Sequence, residues 1–314
     1  MYDHPRLQRT AEAVQTLSLA FCLTGAPAYA RHALTLLRTW FIEPATRMNP
    51  HMRFAQFIPG THGVSGPPSY PPRWVEGTGG QGVYVSYGGA IEGSTFPPMV
   101  ESIRRLHRAG AISAQEIQAL RHWFDTYLDW LLTDPLGLDE KRARNNHSTW
   151  YCVQVVSYAL FAGRDELARQ YLDQHVPERI YQQIEPDGRQ PEELVRADPV
   201  RYTCFNLAAL MNLAVMGDCC GVDLWSLDAG QGRGLAAALR WLAARVDDAA
   251  PPIARELLRT AAHRFNEPSI WAAAAAPGAG PSPPCQGEVS QRIPRPDPAE
   301  LLYPAPQSLR CWLT

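Results

Sequence analysis

Apolar positions recur at helical spacing through most of the chain, and polar breaks divide the pattern into pairs. "LQRTAEAVQTLSLAFCLTG" (7–25) predicts a helix that stops at Gly25. "PAYARHALTLLRTWF" (27–41) predicts a second, with Pro27 suited to a first helical turn. A second pair lies in "FPPMVESIRRLHRAG" (96–110) and "SAQEIQALRHWFDTYLDWLL" (113–132). The latter opens on Ser113 and Glu116 at capping-box spacing. "STWYCVQVVSYALFAG" (148–163) and "RDELARQYLDQHV" (164–176) form a third, and "RYTCFNLAALMNLAVMG", "RGLAAALRWLAARV" and "PPIARELLRTAAHRF" complete the series. Helix pairs without alternating strands predict an all-α fold over residues 1–265, an (α/α) toroid or incomplete barrel of antiparallel helix pairs.

Two loops interrupt the pattern. Residues 44–93 are too long and too rich in Gly and Pro for a simple connection, which points to function or to disorder. They carry His51, Arg53, Gln56, Trp74 and Tyr84. The other loop is "EPDGRQPEELVRADPV" (185–200). From 266 to 314 Pro, Ala and Gly dominate, and a largely disordered tail is expected.

Composition narrows the function. The 314 residues carry a net charge of −2, so no basic field favours nucleic acid. Lys141 is the only lysine among the basic residues. No apolar run reaches bilayer length, and "MYDHPRLQRT" has no apolar signal core, so neither membrane span nor signal peptide is expected. Seven cysteines at irregular spacing fit neither a zinc site nor a disulfide framework, and buried free thiols are expected. No His/Asp/Glu cluster has metal-ligand spacing, so no metal or cofactor is expected.

"GTGGQG" (Gly77, Gly79, Gly82) matches the dinucleotide fingerprint literally, but no clean strand is expected before it and the strand-like "VYVSY" follows where a helix should open. Asn146-His147-Ser148 reads as a glycosylation sequon that carries no sugar. More informative is "RNNHSTWYCVQ": two amides and an imidazole where a helix begins. Helix N-termini offer free N–H groups to an anion, an amide donates without ionising, and an imidazole moves a proton near neutrality. The plain alternative is that Asn145 or Asn146 caps the helix. In the second loop, Arg196 lies six residues before Tyr202, with Arg201 adjacent, which reads either as a carboxylate clamp beside a proton donor or, more plainly, as a surface arginine and a half-buried tyrosine.

Three blocks in order resemble the alginate lyase family, polysaccharide lyases acting on uronic-acid polymers. They are "LRTWFIEPATRMNPHMRFAQFIPG" (Leu37–Gly60), "WFDTYLDWLLTDPLGLDEKRARNNHSTWYCVQ" (Trp123–Gln154) and "RIYQQIEPDGRQPEELVRADPVRYTCFNL" (Arg179–Leu207). The resemblance implies that Asn146 and His147 are the catalytic Asn-His pair, that Arg196 holds the substrate carboxylate and that Tyr202 moves protons. It further implies a polyuronate or oligouronate partner, with no nucleic acid or membrane partner and a monomeric chain. Arg53, His51, Gln56, Trp150, Tyr151 and Arg201 are the expected substrate-binding residues, with core packing the competing role for the aromatic Trp150 and Tyr151. Members usually carry a further N-terminal segment behind a secretory signal, so the chain reads as truncated or shortened relative to them. It has Ala197 and Pro199 where members often have Thr and Ser.

The substrate defines the chemistry. Removing the C5 proton of a 4-linked uronate and expelling the C4 oxygen leaves a C4–C5 double bond. The neighbouring carboxylate opposes this step, so neutralising it is the main electrostatic task. Where proton and oxygen share a face, as in mannuronate, one tyrosine serves as base and acid. Where they do not, His147 is the base and Tyr202 the acid. A tyrosine base needs a pKa below about 10, for which Arg201 is a candidate cause. Two other readings compete. A glycoside hydrolase would use a carboxyl pair from Asp125, Glu193 and Asp198, of which no pair stands out. A non-catalytic homologue would bind acidic sugars without cleaving them.

Overall fold

The computed structural model describes residues 3–53, 55, 73–76, 82–85, 89–247, 250–265 and 267–274. The fold is all-α, with one short antiparallel ribbon. Contacts divide the chain into two compact units, Met1–Ala143 with Trp150–Ala168, and Arg144–Thr149 with Arg169–Thr314, where the sequence pattern reads as one domain.

In the first unit, α1 (Asp3–Thr24) stops at Gly25 as predicted. Gly25 has φ 67°, a left-handed conformation that glycine adopts without steric cost. Helix α2 (Pro27–Leu37) starts on its proline and runs into a π turn, Arg38–Ile42. The ribbon pairs β1 (Arg73–Glu76) with β2 (Gly82–Val85). A strand therefore does precede the glycine-rich segment, but its partner is antiparallel and no helix opens there. A 3₁₀ segment (Gly89–Thr95) leads into α3 (Phe96–Arg108), which packs against α1.

Helix α4 (Ala114–Thr133) begins on the predicted capping box: Ser113 Oγ accepts from the Glu116 N–H at 3.3 Å, and Glu116 Oε2 accepts from the Ser113 N–H at 3.0 Å. Arg38 also binds Glu116, at 2.6 Å from its Nε. Helix α5 (Pro135–Arg142) escapes the periodicity argument because it is only eight residues long. Its start is nonetheless written locally: Asp134 accepts from the Leu136 N–H at 3.0 Å, with Pro135 in the first turn. An aromatic cluster fills this unit. Phe96 meets Trp123 edge-on at 5.8 Å, and Trp123 stacks on Tyr127 at 5.5 Å. Burial, then the charges of Glu140 and Glu92, pushes Tyr127 well above the ordinary tyrosine range.

Helix α6 (Asn146–Ala162) gives its first turn to the second unit and the remainder to the first. The second unit continues from the end of α7 (Asp165–Gln170) through a π turn (Tyr171–His175) into α8 (Val176–Gln183) and the short α9 (Pro191–Leu194). Then follow α10 (Pro199–Cys220), α11 (Leu235–Ala243), α12 (Pro252–Phe265) and α13 (Pro268–Ala274). Helix α13 packs on α11 and α12, so the first residues of the tail expected to lack structure are helical; residues 275–314 lie outside those described. Helix α10 starts like α5, on Asp198-Pro199. Contrary to expectation, α10 is long and apolar enough to cross a bilayer by length and composition. Most of it is buried, and residues Leu207 to Ala214 read as core of this unit. The thiol expectation holds in part. Cys152 and Cys204 are buried, Cys22 and Cys219 are exposed, and Cys285 and Cys311 lie outside the described residues.

Candidate active site

The site begins at the mouth of α6. Asn145 is the cap: its Oδ1 accepts from the His147 N–H at 3.3 Å, and its carbonyl accepts from the Ser148 N–H at 3.1 Å. Asn146 is used differently. Its main-chain N–H donates to Glu193 Oε1 at 2.5 Å, and its amide Nδ2 donates to Glu193 Oε2 at 2.8 Å. The anion at this helix mouth is therefore the chain's own carboxylate. The N–H groups of residues 146–148, expected to receive a substrate anion, are already engaged. Local sequence could not show this, because Glu193 returns from 47 positions away.

Asn146 and Glu193 are each 1% exposed. Burial pushes the Glu193 carboxyl above the ordinary range, opposed by the two Asn146 bonds and the positive charge of Arg196 and His147. Glu193 also links the two predicted segments through its main chain, since its carbonyl accepts from the Arg196 N–H at 3.2 Å. The Arg196 guanidinium lies over the Tyr202 ring at 4.2 Å. Among the described residues Arg196 makes no ion pair, and its charge acts on the nearby Glu193 carboxyl. Tyr202 sits in the first turn of α10, where Asp198 accepts from the Arg201 N–H at 3.1 Å and from the Tyr202 N–H at 3.0 Å through its carbonyl. His147, Arg196, Arg201 and Tyr202 are half-buried.

An amide floor supports these groups. Gln183 accepts from Thr149 Oγ1 at 2.8 Å and from Asn206 Nδ2 at 2.9 Å. It donates to the Asn145 carbonyl at 3.1 Å and to Ser148 Oγ at 3.0 Å. All four of its hydrogen-bonding positions are thus used, and the α6 mouth is tied to α8 and α10. Sequence reasoning gave no role to Gln183 or Asn206, and no local signal marks them. Glu193 was weighed only as a hydrolase carboxyl, although its spacing three residues before Arg196 puts both on one turn.

The expected substrate-binding residues in the first unit fare differently. Arg53 commits Nε and one terminal nitrogen to Asp134 Oδ2, at 3.1 and 2.6 Å, and so clips the long loop to the α5 cap. His51 is half-buried near Trp130, and burial followed by the Arg53 charge lowers its pKa. Gln56 lies outside the described residues. Trp150 and Tyr151 are corrected outright. They are 1% and 0% exposed, so they are core side chains and present no face on which a sugar ring could stack. The cause is that α6 is buried on every side over residues 148–159.

The three carboxyl groups weighed for hydrolysis all have structural partners. Asp125 pairs with Arg164 at 2.6 Å, Glu193 holds Asn146, and Asp198 caps α10. Asn146, the acceptor position of the sequon, is buried.

Comparison with known proteins adds an independent line. The sequence profile of the family described as "Alginate lyase" matches residues 1–251. The fold is similar to the crystal structure of an alginate lyase from Bacteroides ovatus, with a TM-score of 0.75 and 28% identity. That match covers 87% of this chain and 70% of the other. No curated protein matches the chain.

Proposed function

Because the chain belongs to the alginate lyase family and is a polysaccharide lyase, we propose that it cleaves 4-linked polyuronates or oligouronates of the alginate type by β-elimination at the His147–Arg196–Tyr202 site. The observation that carries this reading is the linkage of two distant segments. Asn146 is bound to Glu193, Glu193 is on the same turn as Arg196, and Arg196 stacks on Tyr202.

The roles follow from what each group can do. Abstraction of the C5 proton puts a second negative charge beside the uronate carboxylate. Arg196, unpaired by any described carboxylate, supplies the fixed positive charge that the intermediate needs. Asn146 uses one amide N–H on Glu193 and keeps the other for the substrate carboxylate, without adding a charge of its own. His147 accepts the C5 proton when it lies on the face opposite the C4 oxygen. The electron pair of the C5–H bond becomes the C4–C5 double bond, and the C4–O bond breaks with its pair on oxygen. Tyr202 then protonates that oxygen. For a substrate with proton and oxygen on one face, Tyr202 performs both transfers.

The test is direct. Purified protein is incubated with polymannuronate, polyguluronate and polyglucuronate while ultraviolet absorbance is followed. Growth of the absorbance of a conjugated unsaturated uronate supports the reading, and the preferred polymer identifies the base. Binding without absorbance growth would support a non-catalytic sugar-binding role instead.

A further inference from the structure

Glu193 has a place in this site that neither proton transfer nor carboxylate neutralisation uses. It is almost fully buried, yet both carboxylate oxygens are spent on one residue, Asn146. Binding the main-chain and side-chain N–H groups together fixes the Asn146 side-chain torsions as well as the start of α6. The opposite end of Glu193 is equally constrained, because its carbonyl holds the Arg196 N–H and its own N–H donates to the Gln190 carbonyl at 3.0 Å. One residue thus fastens the segment carrying Asn146 and His147 to the segment carrying Arg196 and Tyr202. A buried carboxylate is a costly spacer unless its bonds do something a neutral residue could not. Two charge-assisted bonds to one amide residue give directional rigidity of the kind that catalysis needs, because displacement by about 1 Å costs on the order of 100-fold in rate.

We propose that Glu193 is a positioning residue that sets Asn146 and His147 in register with Arg196 and Tyr202. This inference rests on the lyase reading above. It acts through Asn146 and makes no contact with the reacting atoms.

A double-mutant cycle tests it. Glu193→Gln keeps the shape but turns one acceptor into a donor facing an N–H, and Asn146→Ala removes the side chain that Glu193 grips. Turnover of the preferred polyuronate is measured for wild type, both single variants and the double variant, with circular dichroism to establish folding. The expected result is a drop in kcat of about 10- to 100-fold for E193Q with little change in KM, and a double variant no slower than the slower single one. Wild-type kcat in E193Q, or losses that multiply in the double variant, would overturn the positioning role while leaving the lyase reading intact. Should E193Q not fold, Glu193→Asp replaces it in the cycle, since it keeps the charge on a shorter arm. If neither folds, Glu193 is a stability element only and the inference fails. A wild-type protein that forms no unsaturated product from any polyuronate removes the lyase reading and this inference together.

Discussion

The guanidinium carbon of Arg196 lies 4.2 Å from the centre of the Tyr202 ring, across a helix start that Asp198 caps. A planar cation on a ring face orients both groups at once, and a lysine cannot reproduce the stack or the fork. Arg196→Lys should therefore lose on the order of 10- to 100-fold in kcat/KM despite keeping its charge. Steady-state absorbance kinetics check this. Near-wild-type activity in R196K would show that a point charge suffices and that the stack is incidental.

His147→Ala and Tyr202→Phe remove the two groups assigned to proton transfer. Each should lower kcat by about 100- to 10,000-fold. Melting temperatures should stay near wild type, because both side chains are only half-buried. A polymannuronate-specific enzyme should suffer more from the tyrosine change, and a polyguluronate-specific one from either. Full turnover in both variants would remove these roles.

Trp150 separates packing from sugar binding. As a fully buried side chain it should cost about 3–5 kcal/mol when replaced by alanine. Urea unfolding measures that loss. A stable W150A protein with a raised KM would instead restore Trp150 as a stacking platform.

Glu193 gives a pH dependence with a definite sign. Burial holds its folded pKa above the unfolded value, against the pull of Asn146, Arg196 and His147. The folded state then keeps the proton longer than the unfolded chain. The resulting stability is fully present below the unfolded pKa and is lost as pH rises through the folded pKa. Relative to E193Q, the wild-type melting temperature should fall as pH rises from the ordinary glutamate value of 4.5. A relative rise across that window would mean that the hydrogen bonds and positive neighbours outweigh burial.

Much of the fold was legible because its signals are local. Gly25 stops α1, Pro27 starts α2, and Ser113 with Glu116 opens α4, each through bonds that span only a few residues. The Asp-Pro starts of α5 and α10 are of the same kind, although α5 was overlooked because eight residues hold little more than two turns of periodicity. The candidate site was legible only as residue types and a family pattern. Residue type and family pattern single out His147, Arg196 and Tyr202, whereas for Trp150 and Tyr151 the sequence leaves cleft and core both open, because an aromatic residue looks alike in either, and burial decides for the core.

By itself, the sequence determined the helices, most of their ends and the residue types available for proton transfer and carboxylate binding. These depend on backbone bonds and side-chain chemistry confined to a few neighbouring positions. Only the tertiary structure decided how the doubled amide is used. Asn145 caps α6, while Asn146 turns to a carboxylate 47 residues away. A cap and a long-range partner draw on the same amide chemistry, and which one forms depends on what folding carries to the helix mouth.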